Sequence, residues 1–244
     1  MSRIDLEIYN EATGFMITSK CLCGRDFSDI DPDEPEWLDA IKEGIFLPFE
    51  LVQDDSFIIR VVLDEELSPQ EQEEWVACSA HKLRIPDGKL AIIGGGVEYL
   101  WGEDMDEFSR FLEVPRGDYL AEVYTYFHGA NGSYCLNEID PNEPIGAYFR
   151  HTRPDQAFPL WLRNECAEDP DLDPGHQSEW EGVEVDYDTV QPPYLGFLVR
   201  LSPLVRRPAI PAMEDGWFEA SNGARKPTAC PQGIVAEYLK PAED

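Results

Sequence analysis

The stretch FLEVPRGDYLAEVYTY, residues 111–126, decides the fold class, because two strand patterns meet in it at a turn. Apolar residues alternate with Glu113 before the turn, and residues 119–126 alternate after it, which is the periodicity of β-strands. Pro115 fixes φ, and we expect Gly117 to adopt a positive φ, so the reversal is encoded locally. The stretch therefore predicts a hairpin at a corner of a β-sandwich core, and substitution of Gly117 is expected to impair folding.

The same periodicity recurs along the chain. Residues 4–8 alternate as a first strand, and residues 15–18 are a candidate hairpin partner for it. Residues 57–63 are apolar on both faces, which is typical of a central strand. A Pro-Asp-Gly turn at 86–88 indicates a second hairpin, and residues 195–202 give a late, clear strand.

Helical signals are few and short. Asp33 is a plausible N-cap, Pro35 falls in the first turn, and Gly44 is placed to end a helix between them. The sequence SPQE at 68–71 has the spacing of a capping box and predicts a brief helical turn. Beyond His128 the chain reads as loop-like and irregular.

These patterns predict a mainly-β protein, an antiparallel β-sandwich with one or two short helices. A chain of 244 residues can bury a sizeable core as one large domain. We expect residues 1–130 to form the sandwich core. Residues 131–244 are expected to be a long irregular C-terminal elaboration that packs on the same domain and includes an acidic loop at 165–188 and the strand at 195–202.

The charge is strongly one-sided. The chain has 49 acidic and 19 basic residues, a formal net charge of −30, and a pI near 4.2. Such a field repels phosphate backbones and anionic membranes, so neither nucleic acid nor a membrane is a predicted partner. A basic protein would be attracted and steered in quickly. A salt-adapted or highly soluble protein has the same composition, and this alternative stays open.

Features of the termini and cysteines favour a cytoplasmic location. Residues 1–15 lack a signal-peptide pattern, and no run approaches the roughly 18 apolar residues of a membrane span. The six cysteines are expected to be free thiols. Cys21 and Cys23 have a spacing that matches neither a zinc knuckle nor a redox CxxC motif.

Calcium is the metal with the best sequence support, and that support is incomplete. Asp169, Asp171 and Asp173 are spaced like the first ligands of a calcium loop. Pro174, however, stands where that loop needs glycine, and Trp180 stands in place of the bidentate glutamate. No metal site is therefore predicted.

No catalytic or cofactor motif is recognisable. The four histidines form no HExxH or HxH pair, and there is no GxSxG elbow. The glycine triplet at 94–96 lacks the spacing of a phosphate loop, which favours a bulge or bend. No cofactor and no catalytic residue are predicted.

The acidic segment 165–188 is the predicted partner-binding region. It holds ten acidic side chains and no Lys or Arg, and its simplest structure is a solvated loop. Trp180 lies among these acids and is a candidate anchor for a partner's arginine or lysine. The predicted partner-binding residues are Asp169, Asp171, Asp173, Glu179, Trp180, Glu181, Glu184, Asp186, Asp188, Asp31, Asp33 and Glu34.

The order of features between residues 37 and 126 resembles the competence protein ComJ family, small inhibitors of a DNA-entry nuclease. The matching pieces are EWLDAIKEG, FELVQDDSFIIRVVL, the charged LDEEL turn, IPDGKLAII and LEVPRGDYLAEVYTY. The resemblance implies a β-sandwich-like fold and a non-enzymatic role in blocking a nuclease or a comparable toxin. It implies no particular functional residue, and residues after about 130 lie outside it.

Charge and resemblance lead to one hypothesis. Nucleases need basic clefts to hold DNA, and an acidic protein can present carboxylates where phosphates would lie. The sequence therefore predicts a non-enzymatic inhibitor or immunity protein that binds a basic nuclease or toxin through its acidic loops. The alternative is a carbohydrate- or calcium-binding β-sandwich module, or an enzyme built on one.

Overall fold

The computed structural model describes residues 2–22, 32, 34–95, 108–186 and 189–239. Its strands are β1 (Arg3–Ile8), β2 (Gly14–Ser19), β3 (Phe46–Glu50), β4 (Phe57–Leu63), β5 (Trp75–Ile85), β6 (Lys89–Ile93), β7 (Ser109–Glu113), β8 (Gly117–Tyr126), β9 (Phe197–Pro203), β10 (Met213–Glu214) and β11 (Trp217–Phe218). They form a five-stranded sheet in the order β1-β4-β9-β8-β5 and a six-stranded sheet in the order β10-β11-β3-β2-β6-β7. The predicted mainly-β, sandwich-like fold is confirmed.

The stretch that decides the fold is a corner between the two sheets, and the prediction of a simple hairpin there was wrong. β8 pairs with β5 in the five-stranded sheet, whereas β7 pairs with β6 in the six-stranded sheet. Ile85 lies opposite Gly117 on one side of the corner, and Lys89 lies opposite Glu113 on the other. The register is therefore unbroken, and one antiparallel ribbon bends so that its halves belong to different sheets.

The glycines at this corner have different roles from those expected. Gly88 has φ +81°, and its carbonyl accepts a hydrogen bond from the Val114 N–H at 2.9 Å. Gly117 does not have a positive φ, and a Cβ there would meet only the Tyr119 ring, at 3.8 Å. The expectation that Gly117 supplies the left-handed conformation was wrong, because Gly88 supplies it in the facing turn between β5 and β6.

A second bent ribbon is built from the first four strands, with a register shift of one residue at its bend. β1 pairs with β4 in the five-stranded sheet, while β2 pairs with β3 and β6 in the six-stranded sheet. The prediction that the first two strands form a hairpin with each other was therefore wrong. Between the two halves, the Leu51 N–H donates to the Thr13 carbonyl at 3.0 Å and continues the ribbon through its bend.

Strand β9 joins the two ribbons. In the six-stranded sheet they pair directly through β2 and β6, but in the five-stranded sheet β9 lies between them, parallel to β4 and antiparallel to β8. A strand from the C-terminal half thus occupies the centre of this sheet. Residue 130 as the limit of the sandwich core stays a prediction.

Five helices lie within the described ranges: α1 (Pro35–Glu43), α2 (Pro69–Glu74), α3 (Ala130–Ile139), α4 (Ile145–Thr152) and α5 (Leu160–Glu168). Gly44 ends α1 with φ +74°, and the predicted capping box of α2 is present, since Ser68 and Glu71 bond reciprocally. The loop expected after His128 is instead the start of α3. Single 3-10 turns at Pro170–Leu172 and Gln177–Glu179 follow α5, so the acidic segment is not one continuous loop.

The main core fills the space between the sheets. Phe15 is fully buried at its centre, with ring centroids 5.0 Å from Phe49, 4.9 Å from Phe57 and 4.9 Å from Phe197. These four rings come from both sheets and hold them face to face. A second cluster, which includes Phe149, belongs to α3–α5 and the chain that follows them.

Candidate functional site

Arginine side chains of this protein neutralise its own buried acids. Arg60 is 4% exposed, and it donates to both carboxylate oxygens of Asp5, at 2.6 and 2.8 Å, and to Glu71 at 3.0 Å. Arg3 donates to the same Glu71 oxygen at 2.6 Å. Burial alone would raise the pKa of Glu71, but the Ser68 N–H and the two guanidinium groups hold that pKa below its usual value.

Other arginines bind backbone carbonyls, either within the C-terminal chain or between that chain and the sandwich. Arg153 Nε donates to the Cys230 carbonyl at 2.6 Å. Arg225 Nε donates to the Trp75 carbonyl at 3.1 Å, and its guanidinium lies 3.5 Å from the centre of the Trp75 ring. Arg225 therefore ties the C-terminal chain to the sandwich, and Arg153 Nη2 also lies 3.6 Å from Glu73 Oε1 and 3.8 Å from Glu74 Oε1.

The predicted acidic region is organised by one arginine, Arg150 of α4. Its Nε donates to Asp173 Oδ1 at 3.0 Å, and its Nη2 donates to Asp173 Oδ2 at 2.8 Å and to Glu179 Oε2 at 2.7 Å. Trp180 Nε1 donates to Asp173 Oδ2 at 2.8 Å. We call these four residues the Arg150 cluster. It links α4 to the two 3-10 turns and fixes the path of the segment.

Two of the predicted partner-binding residues face inward. The Asp173 side chain is fully buried in the Arg150 cluster. Trp180 is 9% exposed, and its ring packs 5.3 Å from the ring of Phe158 in the second core. Both side chains therefore contact other residues of this protein and do not face solvent.

Four predicted residues remain on the surface without a neutralising partner. Asp169, Asp171, Glu181 and Glu184 are exposed, and none of them forms an ion pair with another described residue. The Asp169 side chain accepts the backbone N–H of Asp171 at 3.2 Å and so caps the first 3-10 turn. We call these four residues the segment acids.

The remaining predicted residues are spread more widely. Glu179 is exposed, and hydrogen bonds from His176 and Arg150 lower its pKa. Asp186 is half-buried and accepts both the N–H and the hydroxyl of Thr189, at 2.9 and 2.8 Å. Glu34 is exposed at the start of α1. The other predicted residues, Asp188, Asp31 and Asp33, lie outside the described residues.

A second acidic surface, which the sequence analysis did not identify, lies at the β10–β11 hairpin. Burial raises the pKa of Glu50 at the end of β3, and the negative charges of Glu214, Glu219 and Asp215 raise it further. Asp215 and Gly216 both have positive φ, as a tight two-residue hairpin requires. The Asp-Gly pair between apolar residues was the sequence signal for this turn. We call Glu50, Glu214, Asp215 and Glu219 the hairpin acids.

Metal and membrane features are limited within the described ranges. No group of three or more His, Cys, Asp or Glu side chains is arranged there to hold a metal ion. Burial lowers the pKa of His81 to about 3, and its Nε2 lies 2.7 Å from the Ser79 hydroxyl. Cys21, Cys78, Cys135, Cys166 and Cys230 are free thiols. None of the described helices is both long and apolar enough to cross a membrane.

Comparison with known proteins gives distant similarities. No protein-family model and no curated protein matches the chain. Two solved structures are similar to it. One is ComJ, the inhibitor of the DNA-degrading activity of NucA from Bacillus subtilis, with 16% identity and a TM-score of 0.33 over 52% of this chain and 84% of ComJ. The other is Crocagin biosynthetic gene J, with 11% identity and a TM-score of 0.36 over 83% of this chain and 96% of that one. Similarities this weak carry no argument about function.

Proposed function

We propose that this protein is a non-enzymatic acidic binding protein that inhibits a basic nuclease or toxin. The observation that carries the proposal is the division of its charges. Arg60 and Arg150 neutralise buried carboxylates, and Arg225 binds backbone carbonyls, whereas the segment acids have no cation among the described residues. Within the described residues the segment acids therefore face solvent with their charge unpaired, in a chain whose formal net charge is −30.

This charge distribution fits a partner with a nucleic-acid cleft. Such clefts concentrate lysine and arginine to neutralise phosphates, so a surface of carboxylates is attracted to them and competes with DNA. Long-range attraction of this kind accelerates association and weakens as salt is added. A protein that blocks the cleft needs no catalytic residue of its own.

The scaffold beneath the acids supports a binding role. The Arg150 cluster holds the segment through a buried carboxylate, so less chain entropy is lost when a partner binds. We assign the main contacts to the segment acids and to Glu179, and secondary contacts to the hairpin acids. Asp186, Asp188, Asp31, Asp33 and Glu34 remain further predicted contacts. The proposed role is of the same class as that of ComJ, an inhibitor of a DNA-degrading activity, although the proposal rests on charge and geometry alone.

An inhibition assay tests the proposal. Purified basic DNases, including any nuclease encoded beside this gene, are assayed by cleavage of a fluorogenic DNA duplex as this protein is added. We expect stoichiometric inhibition of at least one enzyme, and its loss in the variant D169N/D171N/E181Q/E184Q.

The matched control removes the same number of charges elsewhere. The variant D54N/E113Q/D155N/E237Q changes four exposed acids outside the Arg150 cluster and is expected to inhibit like the wild type. Failure to inhibit any nuclease of the panel would contradict the proposal and favour acidity as a solubility or salt adaptation.

A further inference from the structure

A cavity of about 220 Å³ lies at one end of the five-stranded sheet, where β4 and β9 begin beside the first turn of α3. Gly129 and Gly196 form part of its buried floor, and a Cβ on Gly129 would lie 2.9 Å from the Gly196 Cα. Asn131 donates to the Glu50 carbonyl at 2.8 Å and accepts the Val52 N–H at 3.0 Å. These two bonds fix residues 50–52, which lead into the cavity wall. The cavity is therefore formed without a ligand.

The lining of the cavity is acidic and aromatic. Glu7 and Asp55 are exposed lining residues, and neither forms an ion pair with another described residue. The rings of His128 and Tyr194 stack at 4.2 Å with planes 16° apart. Burial lowers the pKa of His128 to about 4, so its imidazole is neutral at pH 7. No lysine or arginine is among the described residues that line the cavity.

Charge and size restrict what this cavity can hold. The N-terminus of α3 adjoins it, but the two carboxylates repel an anion there. A cation, by contrast, is attracted by the carboxylates of Glu7 and Asp55. The volume is below the roughly 300–1,000 Å³ of pockets that enclose drug-sized ligands, and it suits one long side chain. An alkyl stem packs well against apolar walls such as Phe57 while its charged end meets the carboxylates.

We propose that this cavity receives a lysine or arginine side chain of a partner protein. The inference rests on the proposed function, because it adds one specific anchor to a surface that attracts basic proteins in general. Interfaces commonly depend on a few side chains that enter formed pockets, while the surrounding charges steer and orient the partner.

NMR titration tests the cavity with small probes. N-acetyl-lysine methylamide and N-acetyl-arginine methylamide are added to the labelled full chain, and the amide signals of Gly129 and Gly196 are followed. We expect saturable shifts with the basic probes and none with the uncharged N-acetyl-norleucine methylamide. In E7Q/D55N we expect about fivefold to tenfold weaker binding, because two favourable charge contacts are lost. The control D54N, an exposed neighbour outside the lining, is expected to behave like the wild type.

The outcomes separate this inference from the proposed function. No shifts, equal shifts with the norleucine probe, or undiminished binding in E7Q/D55N would overturn the cavity assignment, even if a nuclease is inhibited. Binding of the basic probes with the expected loss would support it, even if no nuclease in the panel is inhibited.

Discussion

Arg150 and Asp173 form an ion pair inside the most acidic part of the protein, with Nε 3.0 Å from Oδ1 and Nη2 2.8 Å from Oδ2. The aspartate is fully buried, while Asp171, two residues earlier, is exposed. Neighbouring acids in one segment therefore have different roles: one holds the segment to α4, and the other faces solvent. This difference separates variants that test stability from variants that test binding.

Asp173→Asn is expected to destabilise the protein by about 2–4 kcal/mol, because it removes the charge that matches a partly buried guanidinium. Asp171→Asn is the matched control and is expected to change stability by no more than about 0.5 kcal/mol. Urea unfolding followed by tryptophan fluorescence measures both. Equal stability of the two variants would show that the Arg150 cluster does not hold the segment.

The corner between the sheets gives a second pair of variants. Gly88→Val places a β-branched residue at φ +81° and is expected to cost about 1–3 kcal/mol. Gly117→Val adds its side chain at an exposed position with open space around it, and a change within about 0.5 kcal/mol is expected. Thermal unfolding compares the two. A larger loss for Gly117→Val would contradict the conformations assigned to this corner.

Acid unfolding reports on Glu71. Its pKa is lowered in the folded protein, so its contribution to stability is present above the ordinary value of 4.5 and is lost as the pH falls through the folded pKa. In Glu71→Gln this contribution is absent, and we expect a deficit of about 2–4 kcal/mol at pH 7 that shrinks below pH 4.5. Urea unfolding of both proteins from pH 7 to pH 3 measures the difference. A deficit that does not depend on pH would rule out this charge network as its source.

His128 also makes the stability of the folded protein depend on pH, in a less acidic range than Glu71 does. The pKa of His128 is lowered from 6.5 to about 4, so the unfolded chain takes up a proton before the folded one does, and stability falls as the pH drops from 6.5 toward 4. Its Nε2 has no hydrogen-bond partner among the described residues, and the Gln232 carbonyl that its ring also meets keeps Trp161 Nε1 as a donor at 2.9 Å, so phenylalanine leaves no carbonyl unpaired.

His128→Phe is therefore expected to reduce the slope of unfolding free energy with pH between 6.5 and 4. His151→Phe changes a side chain that is 75% exposed and is the control. Unfolding free energies at pH 7, 6, 5 and 4 supply the slopes. Identical slopes for the wild type and His128→Phe would disprove the burial of a neutral imidazole.

Local signals identified several of the strands and their limits. Alternation located β1, β4, β8 and β9, and the SPQE capping box and Gly44 set helix ends, because these features depend on residues close in sequence. Which sheet a strand joins depends on distant residues. A Pro-Asp-Gly turn at 86–88 is compatible with a hairpin or with a ribbon that bends between sheets, and only the packing of the whole core decides.

The C-terminal half was harder to predict from sequence. α3 begins ANGSYC, a sequence with low helix propensity, and it is held by burial of Cys135 and Leu136. Pro144 and Pro159 directly precede α4 and α5 and were the available signals of helix starts. The inward position of Asp173 had no local signal, because it depends on Arg150, 23 residues away.

The salt dependence of inhibition tests the central claim most directly. For a nuclease inhibited in the panel, the inhibition constant is measured from about 50 to 500 mM NaCl, a range over which the Debye length falls severalfold. We predict a steep weakening with salt for the wild type and the D54N/E113Q/D155N/E237Q control, and a much shallower one for D169N/D171N/E181Q/E184Q. An inhibition constant that is insensitive to salt, or a segment variant with the wild-type slope, would contradict inhibition through the exposed acids.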